Sequence, residues 1–163
     1  MSGLRKFLDF VGNMGLLARG DPPKVVDLTG RVWGPAANGF SLSVRQIPRQ
    51  DSDELPSVSV VLRSEGPAPL LFTVPGWLAF YQFQVMGPDG AEVPLSGYAT
   101  QFLQASKGTE KVEVSLAPGA VTETLIPIGT LYSMRGRGTY KIRVSCRLPD
   151  GTLLTSSEAV ITP

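Results

Sequence analysis

The sequence predicts an all-β fold, an antiparallel β-sandwich preceded by a short N-terminal amphipathic helix. Three observations carry that expectation. Residues 138–148, G-T-Y-K-I-R-V-S-C-R-L, place Tyr140, Ile142, Val144, Cys146 and Leu148 on one parity and Lys141, Arg143, Ser145 and Arg147 on the other. A period of two with one apolar and one cationic side describes a strand half-buried on a sheet face. The same alternation recurs at short intervals with turn residues between, as a sandwich requires. The 18 Gly and 14 Pro supply the many breaks that short strands need.

Residues 2–17 follow a different pattern. Leu4, Phe7, Leu8, Val11 and Met14 recur at helical spacing opposite Arg5, Lys6 and Asp9, with Ser2 placed as an N-cap. Three readings stay open: an amphipathic helix docked on the domain or on a partner, a targeting or surface-binding segment, and disorder. Asp9 and Asn13 interrupt the apolar run, and no small-x-small cleavage site is clean. That favours the cytoplasm as the expected location. The run is too short for a transmembrane span. Gly20-Asp21-Pro22-Pro23 ends the segment, because consecutive prolines stop a helix and stiffen the exit. The expected organisation is a helix with a Pro-rich linker over 1–23 and one β-sandwich domain over 24–163.

Within that domain, residues 25–33 are expected to hold a short leading strand, ended by Gly34-Pro35. Phe40, Leu42 and Val44 alternate with Ser41, Ser43 and Arg45. Val58, Val60 and Leu62 alternate with Ser57 and Ser59, imperfectly at Val61. Residues 70–74 form an apolar run between prolines, an edge or crossover piece. Tyr81, Phe83 and Val85 alternate with Gln82 and Gln84, and Gly87-Pro88-Asp89-Gly90 turns the chain into a return strand over 91–95. Residues 98–103 fit no single template. Val112, Val114 and Leu116 alternate with Glu113 and Ser115 before the Pro118-Gly119 turn, and 121–126 resume. After the 138–148 strand, Pro149-Asp150-Gly151 folds the chain back, and 157–162 close the sheet.

Composition narrows the function classes. At 163 residues the chain suits one domain that buries roughly 70% of its unfolded surface. Lys+Arg 15 against Asp+Glu 14 gives a net charge of +1, which provides no footprint for nucleic acid and no general attraction to anionic membrane. Cys146 is the single cysteine, so no intrachain disulfide forms, and its apolar parity marks it as a buried small hydrophobe. The absence of histidine removes the commonest general base and the commonest transition-metal ligand. Neither an enzyme nor a cofactor is expected.

Three places together resemble the bacterial Ig-like accessory domains, including those similar to the intracellular protease-inhibitor type. Asp53-Glu54-Leu55-Pro56 followed by Val58, Val60 and Leu62 resembles the "G-E-P-V-x-V-x-L-x-N" entry to a second strand, with Asp53 where Gly is common and Ser64 where Asn is common. Residues 81–95 resemble the "F-x-V-x-D-x-D-G-K-x-V" hairpin. Leu116-Ala117-Pro118-Gly119 running to Gly138-Thr139-Tyr140 is similar to the "L-x-P-G…G-x-Y-x-v-x" close. Gly138-x-Tyr140-x-Ile142 also looks like a tyrosine corner, and Trp77 could serve as the core tryptophan. The resemblance covers residues 40–163 and implies an Ig-like sandwich. Function is implied far less, because sandwiches host unrelated roles.

Candidate site residues fall in the loops. Arg135 and Arg137 flank Gly136 just before the Tyr140 strand and could grip a carboxylate or phosphate as paired guanidiniums do, though arginines in a turn are usually just solvated. Trp33 and Tyr98 lie beside chain breakers and are candidate platforms for a sugar or peptide, against the plainer role of core or edge cover. Asp51, Asp53 and Glu54 could begin a calcium site, against the plainer role of a solvated acidic loop. The leading expectation is a non-enzymatic Ig-like binding or structural module that contacts another protein through its loops or an unpaired edge strand. A protease inhibitor and a carbohydrate- or calcium-binding accessory domain are the alternatives.

Overall fold

The computed structural model describes residues 26–74, 80–105, 112–134 and 137–163. The expected helix over 2–17, the 20–23 linker, Trp77 and Arg135 lie outside the described residues. Strand is the predominant regular structure of the described residues, and every pairing between named strands is antiparallel. Among the described residues, no helix is long and apolar enough to cross a membrane.

The first sheet joins β1 (Phe40–Gln46), β2 (Val58–Ser64) and β6 (Val121–Ile126) in the order β1-β2-β6. Among the described residues, β3 (Leu70–Val74) pairs only with β5 (Val112–Leu116). In the third sheet, β4 (Gln82–Met86) lies on one side of β7 (Tyr140–Arg147). On its other side β7 meets two short strands, β8 (Leu153–Thr155) against its C-terminal half and β9 (Ala159–Ile161) against its N-terminal half. Between those two, Ser156 keeps the ladder continuous: its N–H donates to the Val144 carbonyl at 2.8 Å, and its hydroxyl accepts the Val144 N–H at 2.9 Å.

The alternation read from β7 holds. Tyr140, Ile142, Val144 and Cys146 are buried, and Lys141, Arg143 and Arg147 are exposed. The inward set joins Leu42, Val44, Val60, Leu62 and Ile126 in one apolar core that the two larger sheets share. The Tyr81 phenol is buried in that core, and burial raises its pKa.

Several expectations change. Residues 25–33 form no leading strand over the described 26–33; only Trp33 makes a bridge, to Ser43. Asp27 accepts the Thr29 N–H at 2.9 Å, and this Asx-type turn breaks the extended run. The segment is instead a strap across the outer face of the β1-β2-β6 sheet. This strap explains the imperfect alternation in β2, because Val61 points outward yet is fully buried. The return strand over 91–95 shrinks to bridges at Glu92 and Leu95, since Pro94 has no N–H to give a ladder.

Residues 98–103 belong to helix α1 (Gly97–Ala105), which is capped by the Ser96 hydroxyl accepting the Ala99 N–H at 3.1 Å. A single turn of helix, α2 (Ile128–Leu131), follows β6 and packs beside α1. The closing strand expected over 157–162 is β9, three residues long.

Candidate recognition surface

Two of the turn segments singled out in the sequence meet at one end of the fold. The 87–90 turn leaves β4 as a tight loop: Gly87 donates to the Ala91 carbonyl at 2.8 Å, and Gly90 donates to the Gly87 carbonyl at 3.0 Å. The Asp89 carboxylate accepts the Ala91 N–H at 3.1 Å, so Asp89 stiffens the turn it sits in. The loop before β7 closes against it. Gly138 has φ +137°, a conformation that L side chains rarely adopt, and a Cβ there would stand 2.6 Å from the Pro88 ring. Arg137 is exposed on this loop.

Downstream of the turn the chain is pinned on two sides. Val93 donates to the Val85 carbonyl at 2.8 Å, and Ser133 donates to the Pro94 carbonyl at 3.1 Å. Between these anchors lies an open pocket of about 350 Å³, lined by Pro88, Asp89, Glu92, Val93, Pro94 and Tyr140, with Gly87, Ala91 and Ser133 completing it. Asp89 and Glu92 are exposed, and among the described residues neither forms an ion pair. Beside the pocket, the Tyr132 hydroxyl donates to the Phe83 carbonyl at 3.3 Å. Burial, with the nearby Glu92 charge adding to it, pushes the Tyr132 pKa up to about 12.

The other candidate residues are scattered. Trp33 is half-buried on the strap, and the Arg63 guanidinium lies 3.7 Å from its ring centroid, so one face of that indole is covered. Arg63 also pairs with Glu65 at 2.6 Å. Tyr98 is half-buried on α1 and packs against the core. Asp51, Asp53 and Glu54 are exposed and serve their own turn. Asp51 accepts the Asp53 N–H at 3.2 Å, and Glu54 accepts the Gln50 N–H at 3.3 Å. Among the described residues, no three His, Cys, Asp or Glu side chains are gathered to hold a metal.

Sequence reasoning passed over Arg31, Glu92 and Ser133. Arg31 reaches from the strap onto the sheet, donating to the Ser59 carbonyl at 3.3 Å and to the Ser59 hydroxyl. Burial lowers its pKa, with the Arg45 charge contributing. No local signal marks Arg31, because its partner lies 28 residues away. For Glu92, the signal was the Asp89-Gly90 turn that delivers it. No family model matches this chain, and no curated protein sequence matches it.

Proposed function

We propose that the chain is an Ig-like β-sandwich acting without catalysis as a binding module for another protein. Strand order supports the Ig-like assignment. A β1-β2-β6 sheet opposite a sheet centred on β7, with β4 on one side and the β8–β9 pair on the other, follows the ABE and CFG connectivity of that architecture. The β3–β5 pair and α1 are insertions on that plan.

One observation carries the functional reading: the 87–90 turn and the loop bearing Arg137 converge on a pinned, solvent-facing surface at one end of the strands. Loops stiffened by Gly, Pro and internal hydrogen bonds lose little entropy on docking. Arginine beside them is the residue type enriched at interface hot spots. The lack of histidine in the sequence agrees with a role that needs no proton transfer.

The test is capture of the native partner by the immobilised chain, compared with a variant in which Arg135 and Arg137 are both Ala. The expected result is an unchanged thermal midpoint with capture weakened at least about tenfold. Capture unaffected by the double substitution would move the contact to another surface.

A further inference from the structure

We propose that the pocket between the 87–90 turn and Ser133 receives a single lysine or arginine side chain presented by the partner protein. The inference rests on the binding-module reading and deepens it.

Size comes first. At about 350 Å³ the pocket sits at the lower limit of small-molecule sites, which suits one long side chain better than a whole cofactor. Its walls are the second argument. Pro88, Val93, Pro94 and the buried Tyr140 present apolar surface, while Asp89 and Glu92 are the charged groups of the lining. An aliphatic stem ending in a cation matches that division, because lysine and arginine lay their methylenes on apolar surface and hold the charged head outside it.

The third argument is that, among the described residues, the carboxylates are uncommitted. Arg63 pairs with Glu65, and Lys141 and Arg143 pair with Glu158, but no described cation pairs with Asp89 or Glu92. Glu92 has no hydrogen bond among those described, and Asp89 spends only one oxygen on the Ala91 N–H. The backbone needs no rearrangement to admit a guest, since hydrogen bonds to Val85 and from Ser133 already fix the 93–94 segment. Prepaid ordering of this kind favours binding.

The experiment titrates the full chain with N-acetyl-arginine methylamide, N-acetyl-lysine methylamide and the neutral isostere N-acetyl-citrulline methylamide, following backbone amide shifts by NMR. Saturable shifts confined to 87–94, 133 and 140 are expected with a cationic probe, at the millimolar affinity of a single contact, about 4 kcal/mol. Citrulline should bind at least about fivefold more weakly, as should either cation to Glu92→Gln, and salt should weaken the cationic probes. Asp89→Asn keeps an acceptor for the Ala91 N–H and serves as the second variant. Equal binding of citrulline, shifts centred elsewhere, or no saturable shift would overturn the proposal. If Glu92→Gln leaves capture of the native partner intact while the Arg135/Arg137 variant loses it, the binding-module reading stands and this one fails.

Discussion

Ser156 occupies both hydrogen-bonding positions of Val144, giving its N–H to the Val144 carbonyl and taking the Val144 N–H on its hydroxyl. A side chain thus replaces a ladder carbonyl at the place where β8 gives way to β9. Ser156→Ala would leave the Val144 N–H buried without an acceptor, at a cost of about 1–3 kcal/mol. Hydrogen exchange should show lost protection at Val144 while the β4 side of β7 keeps its own. Unchanged protection there would mean that the β8–β9 junction closes without the hydroxyl.

The contact between Gly138 and Pro88 gives a second prediction. Gly138→Ala meets both an unfavourable φ and the Pro88 ring, so a loss of about 2 kcal/mol or more in unfolding free energy is expected. Adding Pro88→Ala should restore part of that loss, the part due to contact, and leave the backbone strain. Strict additivity of the two substitutions would show that the loops do not press on each other.

Arg31 tests the strap. Arg31→Met keeps the length and removes the bonds to Ser59, leaving the buried Ser59 hydroxyl without that donor. A loss of about 1–3 kcal/mol is expected, with faster exchange at the Gly34 N–H, which bonds to the Leu42 carbonyl at 3.0 Å. Arg31→Lys should recover little, because one ammonium cannot reproduce the forked contacts.

Alkali should unfold the protein through its buried acids, the Tyr81 phenol among them. Burial raises the Cys146 thiol from 9.0 to about 12, and the Tyr132 phenol moves from 10.0 to about 12. Both groups are neutral in the fold, so their contribution is complete below pH 9. It falls away as the unfolded chain ionises, through the window from pH 9 to 12. Cys146→Val should reduce the slope of unfolding free energy against pH by about one proton, roughly 1.4 kcal/mol per pH unit, in that window. A slope that does not change would place the alkaline sensitivity elsewhere. The native thiol should also resist alkylation at neutral pH.

The strands were legible because a sheet face imposes a two-residue period that survives in the sequence, and Tyr140 to Cys146 is the clearest case. Helix α1 was not, although Ser96 stands three residues before Ala99 as a cap should. Its short amphipathic run lies between strands and never declares a full helical period. The strap escaped for another reason: Val25, Val26 and Val32 suggest a strand, but Asp27 and Thr29 fold the chain before it can extend. At the site, the 87–90 turn and the loop bearing Arg137 are both visible in the sequence as turns, and the fold brings them together at Gly138 and Pro88. The pocket itself depends on Ser133 and Tyr140, which arrive from distant parts of the chain and leave no local trace.

The strap also decides how the domain would respond to tension. A pull on residue 26, directed away from the sheet, reaches Asp27 and its pair with Arg45 first, and then the Arg31 contacts on Ser59. Those bonds lie one after another along the strap, so they would open in succession as a zipper does. The load reaches the backbone of β1 at the bond from Gly34 to the Leu42 carbonyl, and after that bond opens it falls on the paired bonds between Ala37 and Phe40. A pull at the opposite terminus acts differently. The Gln46 side chain grips Thr162 from both sides, accepting its N–H and donating to its carbonyl, each at 2.9 Å. There β1 and the tail after β9 are loaded together. In single-molecule stretching, the first end should yield at low force in small steps, and the second should hold until the sheets part.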